Sequence, residues 1–201
     1  MYTINIYLRF ALIAITLIGG VVLTVLFGFW YALPFILIGL TLLAGYIFLG
    51  TVQSAALLMQ SMDFDGAQRR LNLTLKPSWL YSANRAYYYM IQGGIHMQNK
   101  QYPQAEVMLE KAQDTGLPSD NERAMVLLQL ANLAVVKNNI TGAQSLMRQA
   151  KQQKVTEPQI KEQIAEFDKA LKNQGAMKTM HQRHRGAVMQ PGGKRRRPKA
   201  R

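Results

Sequence analysis

Residues 7–62 read YLRFALIAITLIGGVVLTVLFGFWYALPFILIGLTLLAGYIFLGTVQSAALLMQSM. From Phe10 to Met62 there are 53 residues without one Asp, Glu, Lys or Arg. A bilayer-spanning helix needs roughly 20 apolar residues, so the stretch holds two. The first span is expected over about Tyr7–Phe29 and the second from Leu33 onward. Trp30 and Tyr31 suit a membrane–water interface, and Pro34 suits the first turn of a new helix. With so short a connection the two helices must be antiparallel neighbours. Thr16, Gly20, Thr24 and Gly28 form a stripe of small residues on the first, and Thr41 and Gly45 lie on the second. Such residues let backbones approach closely, either within the hairpin or against a partner.

The flanks set an orientation. The connection between the spans carries no charge, whereas the N-terminal side has Arg9, in the first turn of the first span, and Arg69, Arg70, Lys76 and Arg85 follow the second. Positive flanks stay in the cytoplasm, which predicts a multi-pass protein of the cell (inner) membrane with both termini cytoplasmic. A cleaved signal peptide fits poorly, because no small-x-small site precedes the second span. Apart from Arg9 at the very start of the first, neither span holds an Asp, Glu, Lys, Arg or His, so a proton or ion pathway has little to run through.

Beyond the spans the chain repeats itself. Phe64-Asp65-Gly66-Ala67 recurs in type as Tyr102-Pro103-Gln104-Ala105 and as Ile140-Thr141-Gly142-Ala143, the alanines standing 38 residues apart. Four residues after each alanine is a large apolar residue: Leu71, Leu109, Met147. Twelve before each is a small one: Ala55, Gly93, Ala131. Apolar residues at three- and four-residue spacing mark helices over 104–113 and 141–152. Pro158, Ile160, Ile164, Phe167 and Leu171 mark one more, suited to cap a stack.

Tyr89, Gly93, His96, Tyr102, Ala105, Leu109 and Ala112, followed by Pro118, resemble a tetratricopeptide repeat. Leu127, Leu130, Ala131, Ala134, Ile140, Ala143, Met147 and Ala150 resemble a second copy. The resemblance covers roughly residues 50–175. It implies an all-α fold, a two-helix transmembrane hairpin followed by a short TPR-like α-solenoid, and a scaffold or adaptor that binds a protein partner. The period of 38 exceeds the family's usual 34, and Tyr89 and Leu127 stand where the family has Trp. Some members clamp a C-terminal carboxylate with Lys and Asn on the first helix of a repeat. Met90 and Gly94 occupy the corresponding places, so that mode is not implied here.

This organisation divides the chain into a hairpin (1–60), a repeat domain (50–175) and a tail (176–201). The first two overlap because Gly50–Ser61 continues the second span and also forms the first helix of the first repeat. An unbroken helix is expected there.

The chemistry-bearing residues are few. Cysteine is absent, which excludes thiolate metal sites and a cysteine nucleophile. Asp63 and Asp65 beside Gly66 lack the remaining ligands of a calcium loop and fit helix capping. His181 and His184 sit in a basic segment with no carboxylate nearby. No phosphate-binding loop, dinucleotide fingerprint or nucleophile elbow is present. The expectation is a protein that is not an enzyme and needs no cofactor or metal. Tyr87, Tyr88 and His96 are the candidate partner-binding residues, either as packing between repeats or as an aromatic anchor for a peptide.

The net charge of +13 sits mostly in the tail: residues 176–201 carry nine Lys/Arg and no acid. Lys194, Arg195, Arg196, Arg197, Lys199 and Arg201 are candidate polyanion contacts, disordered when free. They could fix topology passively, bind anionic lipid, or contact ribosome or RNA through phosphate. The last makes a membrane-associated ribosome- or RNA-docking factor the alternative function.

Overall fold

Gly28 decides where the chain first reverses. Its φ of 91° lies in the left-handed region, which glycine enters at no steric cost. In the computed structural model, which describes residues 6–187 with side chains over 7–173, helices α1 (Ile6–Phe27) and α2 (Phe29–Leu49) are separated by that one residue. The reversal expected at Trp30–Pro34 is therefore corrected. These residues belong to α2, and Pro34 is inside that helix rather than in its first turn. A proline so close to a helix start removes only one backbone bond near the end.

The two helices run antiparallel. Leu17 faces Gly39, Gly20 faces Ile36, Arg9 reaches Gly45, and Phe10 packs edge-on against Tyr46 with ring centroids 4.9 Å apart. A β-carbon on Gly20 would stand 2.7 Å from Ile36 Cγ1, and one on Gly39 would stand 2.6 Å from Leu17 Cδ2. Two of the glycines thus set the helix separation. Both helices are long and apolar enough to cross a membrane, and only 11% and 17% of their apolar windows are buried in the protein. Most of their apolar surface is exposed.

The expected unbroken helix from the second span into the next domain is also corrected. Gly50 breaks it with φ 62° and ψ −153°. A side chain there would collide with Leu80, 2.7 Å from the would-be β-carbon. The break lets the next domain close against the end of α2. A helix leaves its last carbonyls without intrahelical partners. Here the Tyr81 N–H donates to Phe48 O at 2.9 Å and Asn84 Nδ2 to Leu49 O at 2.9 Å. The Tyr46 hydroxyl donates to Leu73 O, and the Thr51 hydroxyl donates to Arg70 O and lies 3.0 Å from Thr74 Oγ1. Three of these bonds join α2 to the following domain, and the other two hold Thr51, the N-cap of α3, against the end of α4 and the residues after it.

That domain is a run of helical hairpins: α3 (Val52–Gln60) with α4 (Phe64–Asn72), α5 (Ser82–Gln98) with α6 (Tyr102–Thr115), and α7 (Asp120–Val136) with α8 (Ile140–Gln152). A short 3-10 turn, Pro77–Trp79, precedes α5. The three hairpin turns have one design. Met62, Lys100 and Asn138, each 38 residues apart, take φ of 61°, 58° and 64°. The N–H of the next residue, Asp63, Gln101 or Asn139, returns to the carbonyl of Leu58, His96 or Ala134 at 2.8–2.9 Å. A left-handed residue followed by this long backward bond closes a helix and satisfies its end carbonyls. Asp63 and Asn139 then cap the next helix by accepting from Gly66 N at 2.8 Å and Gly142 N at 2.9 Å. Gln101 does not; its Oε1 lies 2.6 Å from His96 Nδ1.

Above the turns the small and large residues interlock. Ala67, Ala105 and Ala143 are fully buried, as are Leu71 and Leu109, with Met147 nearly so. A β-carbon on Gly93 would stand 2.7 Å from Leu109 Cδ2 and 3.4 Å from Ala105 O. Helix α9 (Pro158–Ala187) covers the last hairpin with Ile160, Ile164 and Leu171. Its Asp168 lies 2.5 Å from Lys151 of α8 and 2.9 Å from Lys172, and these ammonium groups hold its carboxyl below the ordinary range. The helix continues past residue 175, where the tail was expected to begin. No proline follows Pro158 within it, and isolated glycines cost only about 1 kcal/mol each.

The two adjacent glycines of α5 make a paired test. Gly93→Ala pushes on Leu109 and the Ala105 carbonyl and is expected to lower stability by roughly 1–3 kcal/mol. At Gly94 the nearest atom to a β-carbon is the flexible end of Met59, at 3.2 Å. Gly94→Ala is expected to be neutral or to stabilise by up to about 1 kcal/mol through helix propensity. Denaturant melts of the full chain in detergent distinguish them; equal effects would refute a close crossing at Gly93.

Candidate partner-binding face

The 38-residue register makes positions of α7 equivalent to positions of α5: Glu122 to Asn84, Met125 to Tyr87, Gln129 to Ile91, Asn132 to Gly94. Spacings of three and four put Glu122, Met125, Gln129 and Asn132 on one stripe of α7. That stripe is half-buried to exposed, while Ala124, Leu127, Leu130, Ala131 and Leu133 fill the core.

Tyr87 links the two helices at this face. Its hydroxyl donates to Glu122 Oε1 at 2.8 Å. Burial, then the bond and the negative charge of Glu122, push the phenol up to about 12. The other carboxylate oxygen, Glu122 Oε2, is buried with no partner among the described residues, and so is Gln129 Oε1. A buried acceptor left unbonded costs about 1–3 kcal/mol. Two of them one helical stripe apart make a face that lacks hydrogen-bond donors.

Tyr88 is used differently. Both it and Tyr87 pack against the first hairpin, but Tyr88 also meets Tyr89 edge-on at 5.7 Å. Burial raises its pKa, opposed by a hydrogen bond with Gln92. His96 lies nine residues beyond Tyr87, roughly 13 Å along the helix, and is engaged by Gln101 of the hairpin turn. The three candidate residues are thus brought onto one helix but into three settings, of which only that of Tyr87 opens on the stripe. Glu122 and Gln129 escaped the sequence reading. The signal was there in the repeat register, which makes Glu122 equivalent to Asn84 near the start of α5.

Asp63 serves as a cap, as its position beside Gly66 implies. Among the described residues no three of His, Asp and Glu gather at metal-binding distance. His181 and His184 fall where no side chain is described, and Lys194, Arg195, Arg196, Arg197, Lys199 and Arg201 lie outside the described residues. The chain matches no protein-family model, no curated protein and no solved structure.

The Tyr87 bond predicts an alkaline signature. Its folded pKa lies above the ordinary 10, so its stabilisation is fully present below pH 10 and is lost as pH rises through about 12. Tyr87→Phe is expected to cost about 1 kcal/mol at neutral pH and to flatten the stability loss above pH 10. Denaturant melts against pH, with tyrosinate absorbance, check both. An unchanged alkaline slope would remove the bond from the face.

Proposed function

We propose that this protein is a membrane-anchored, non-enzymatic scaffold. The apolar hairpin spans the cell membrane with both termini in the cytoplasm. A short TPR-like stack then presents the α5–α7 face to a protein partner. The observation that carries this reading is a pair of buried, unpartnered acceptors on one stripe of α7: Glu122 Oε2, whose carboxylate also holds Tyr87, and Gln129 Oε1 seven residues further on. A partner segment bearing donors, such as an extended backbone or a Lys or Arg side chain, would satisfy them. Supporting the anchor are the exposed apolar surfaces of α1 and α2, such as Ile15, Val25 and Phe35, which a bilayer would cover at no cost.

The absence of cysteine makes single-cysteine variants informative. Trp30→Cys is expected to react with an impermeant thiol reagent on intact cells, and Gln98→Cys only after lysis. The reverse pattern overturns the topology. A photoreactive residue at Asn132 is expected to give one discrete crosslinked species in native membranes, and the same probe at exposed Val107 of α6 none. Crosslinks from Val107 alone would move the partner to another face, and none from either site would refute the scaffold.

A further inference from the structure

We propose that the seam between α1 and α4 is a binding site for the phosphate of an anionic phospholipid, held by Arg70 and Arg69. This rests on the reading that the hairpin spans the membrane. A cavity of about 220 Å3 opens there, lined by Tyr7, Leu58, Asp63, Arg69, Arg70 and Leu73. At roughly 30 Å3 of liquid volume per water, it admits a phosphate group with its neighbouring waters.

Three features converge on an anion at this level. Arg70 Nη1 is buried and has no hydrogen-bond partner among the described residues. The Arg70 guanidinium lies over the Tyr7 ring at 4.9 Å, a contact with the ring face that satisfies no N–H donor with an acceptor atom. A buried charged donor without an acceptor is expensive, and a phosphodiester is a natural acceptor for a guanidinium. Arg69, also on the lining, is exposed and carries a second charge.

Charge balance selects among lipids. Arg69 and Arg70 contribute two positive charges and Asp63 one negative, and one oxygen of Asp63 is held by Gly66 N. The net single positive charge is neutralised by a lipid of net charge −1, and a zwitterionic lipid leaves it uncompensated.

The height of the site is set by bonds already described. Tyr7 begins the first apolar span. Arg70 and Leu73 offer their carbonyls to Thr51 and Tyr46 at the end of the second. The cavity is therefore held at the headgroup level of the cytoplasmic leaflet. The segment after α4 agrees with this placement. Leu75, Trp79 and Tyr81 are exposed, Lys76 lies 5.0 Å over the Trp79 ring, and the Tyr81 backbone is bonded to α2. Apolar, aromatic and lysine side chains mixed in this way characterise the membrane interface.

The test uses the full chain incorporated into nanodiscs of phosphatidylcholine alone and of phosphatidylcholine mixed with phosphatidylglycerol. Lipids retained after detergent release are counted by native mass spectrometry. Wild type is expected to keep one phosphatidylglycerol per chain and no phosphatidylcholine. Arg70→Gln and Arg69→Gln should each lower retention about fivefold, the worth of one basic residue near an anionic surface. Arg123→Gln, away from the seam, should leave it unchanged. The basic tail is the same in every variant, so it cannot produce these differences. Arg69 is exposed, so its variant tests the site even if Arg70→Gln fails to fold. Equal retention by wild type and Arg69→Gln overturns the site. Inorganic phosphate protecting wild type against thermal unfolding as well as the lipid does would reassign it to a soluble anion and overturn the lipid assignment. A chain that enters neither nanodisc refutes the spanning hairpin itself, whereas entry without selective retention refutes only the site.

Discussion

The carbonyls at the end of α2 are the constraint around which the rest is arranged. A helix that finishes in an apolar run has no side chains of its own with which to cap itself, and orphan carbonyls are costly away from water. Here the caps come from the helical domain: the Tyr81 backbone and the Asn84 amide. Reaching them requires the chain to leave α2 abruptly, run through α3 and α4, and return. Gly50 supplies the abrupt exit. Leu80 occupies the space that a side chain at residue 50 would have filled. The hairpin and the domain are consequently one construction, in which the first helical pair stands directly against the end of α2.

From that base the domain grows by repetition. Each hairpin closes on a left-handed residue, sends one backbone bond back across the turn, and buries an alanine against a small residue of the preceding helix. Neighbouring units contribute the remaining core: Leu117, Val126, Leu130 and Leu133 join α6 to α7, and α9 covers the last pair. A stack of this kind has ends, and the two ends here differ in nature. One is set against the apolar hairpin, and the other is closed by α9. The open stripe of α7 lies between them.

What the sequence shows and what it hides follow from range. Fifty-three residues without charge leave no alternative to two apolar helices, and the 38-residue spacing of the alanines locates every later hairpin. The turn at Gly28 was hidden because Trp30, Tyr31 and Pro34 carry stronger compositional signals than a single glycine, although only the glycine accepts the φ that the reversal demands. The break at Gly50 was hidden for a related reason: apolar periodicity runs straight through it. The partners that make it necessary, Leu80, Tyr81 and Asn84, come at least thirty residues later. At the candidate face, Tyr87 was visible as an aromatic on α5, but its bond to Glu122 spans two hairpins. Arg69 and Arg70 were legible only as positive flanks; that the half-buried Arg70 stacks over Tyr7 with one nitrogen out of solvent is a product of tertiary packing.

The single-residue reversal at Gly28 also limits what the protein can sense. In the proposed topology the far side of the bilayer meets little more than Phe27, Gly28, Phe29 and the exposed Trp30. Such a surface has no groove, charge or loop with which to recognise a solute. In that same proposed topology the turn makes the two faces of the molecule unequal: nearly all of the polar surface among the described residues lies on the side of the helical stack.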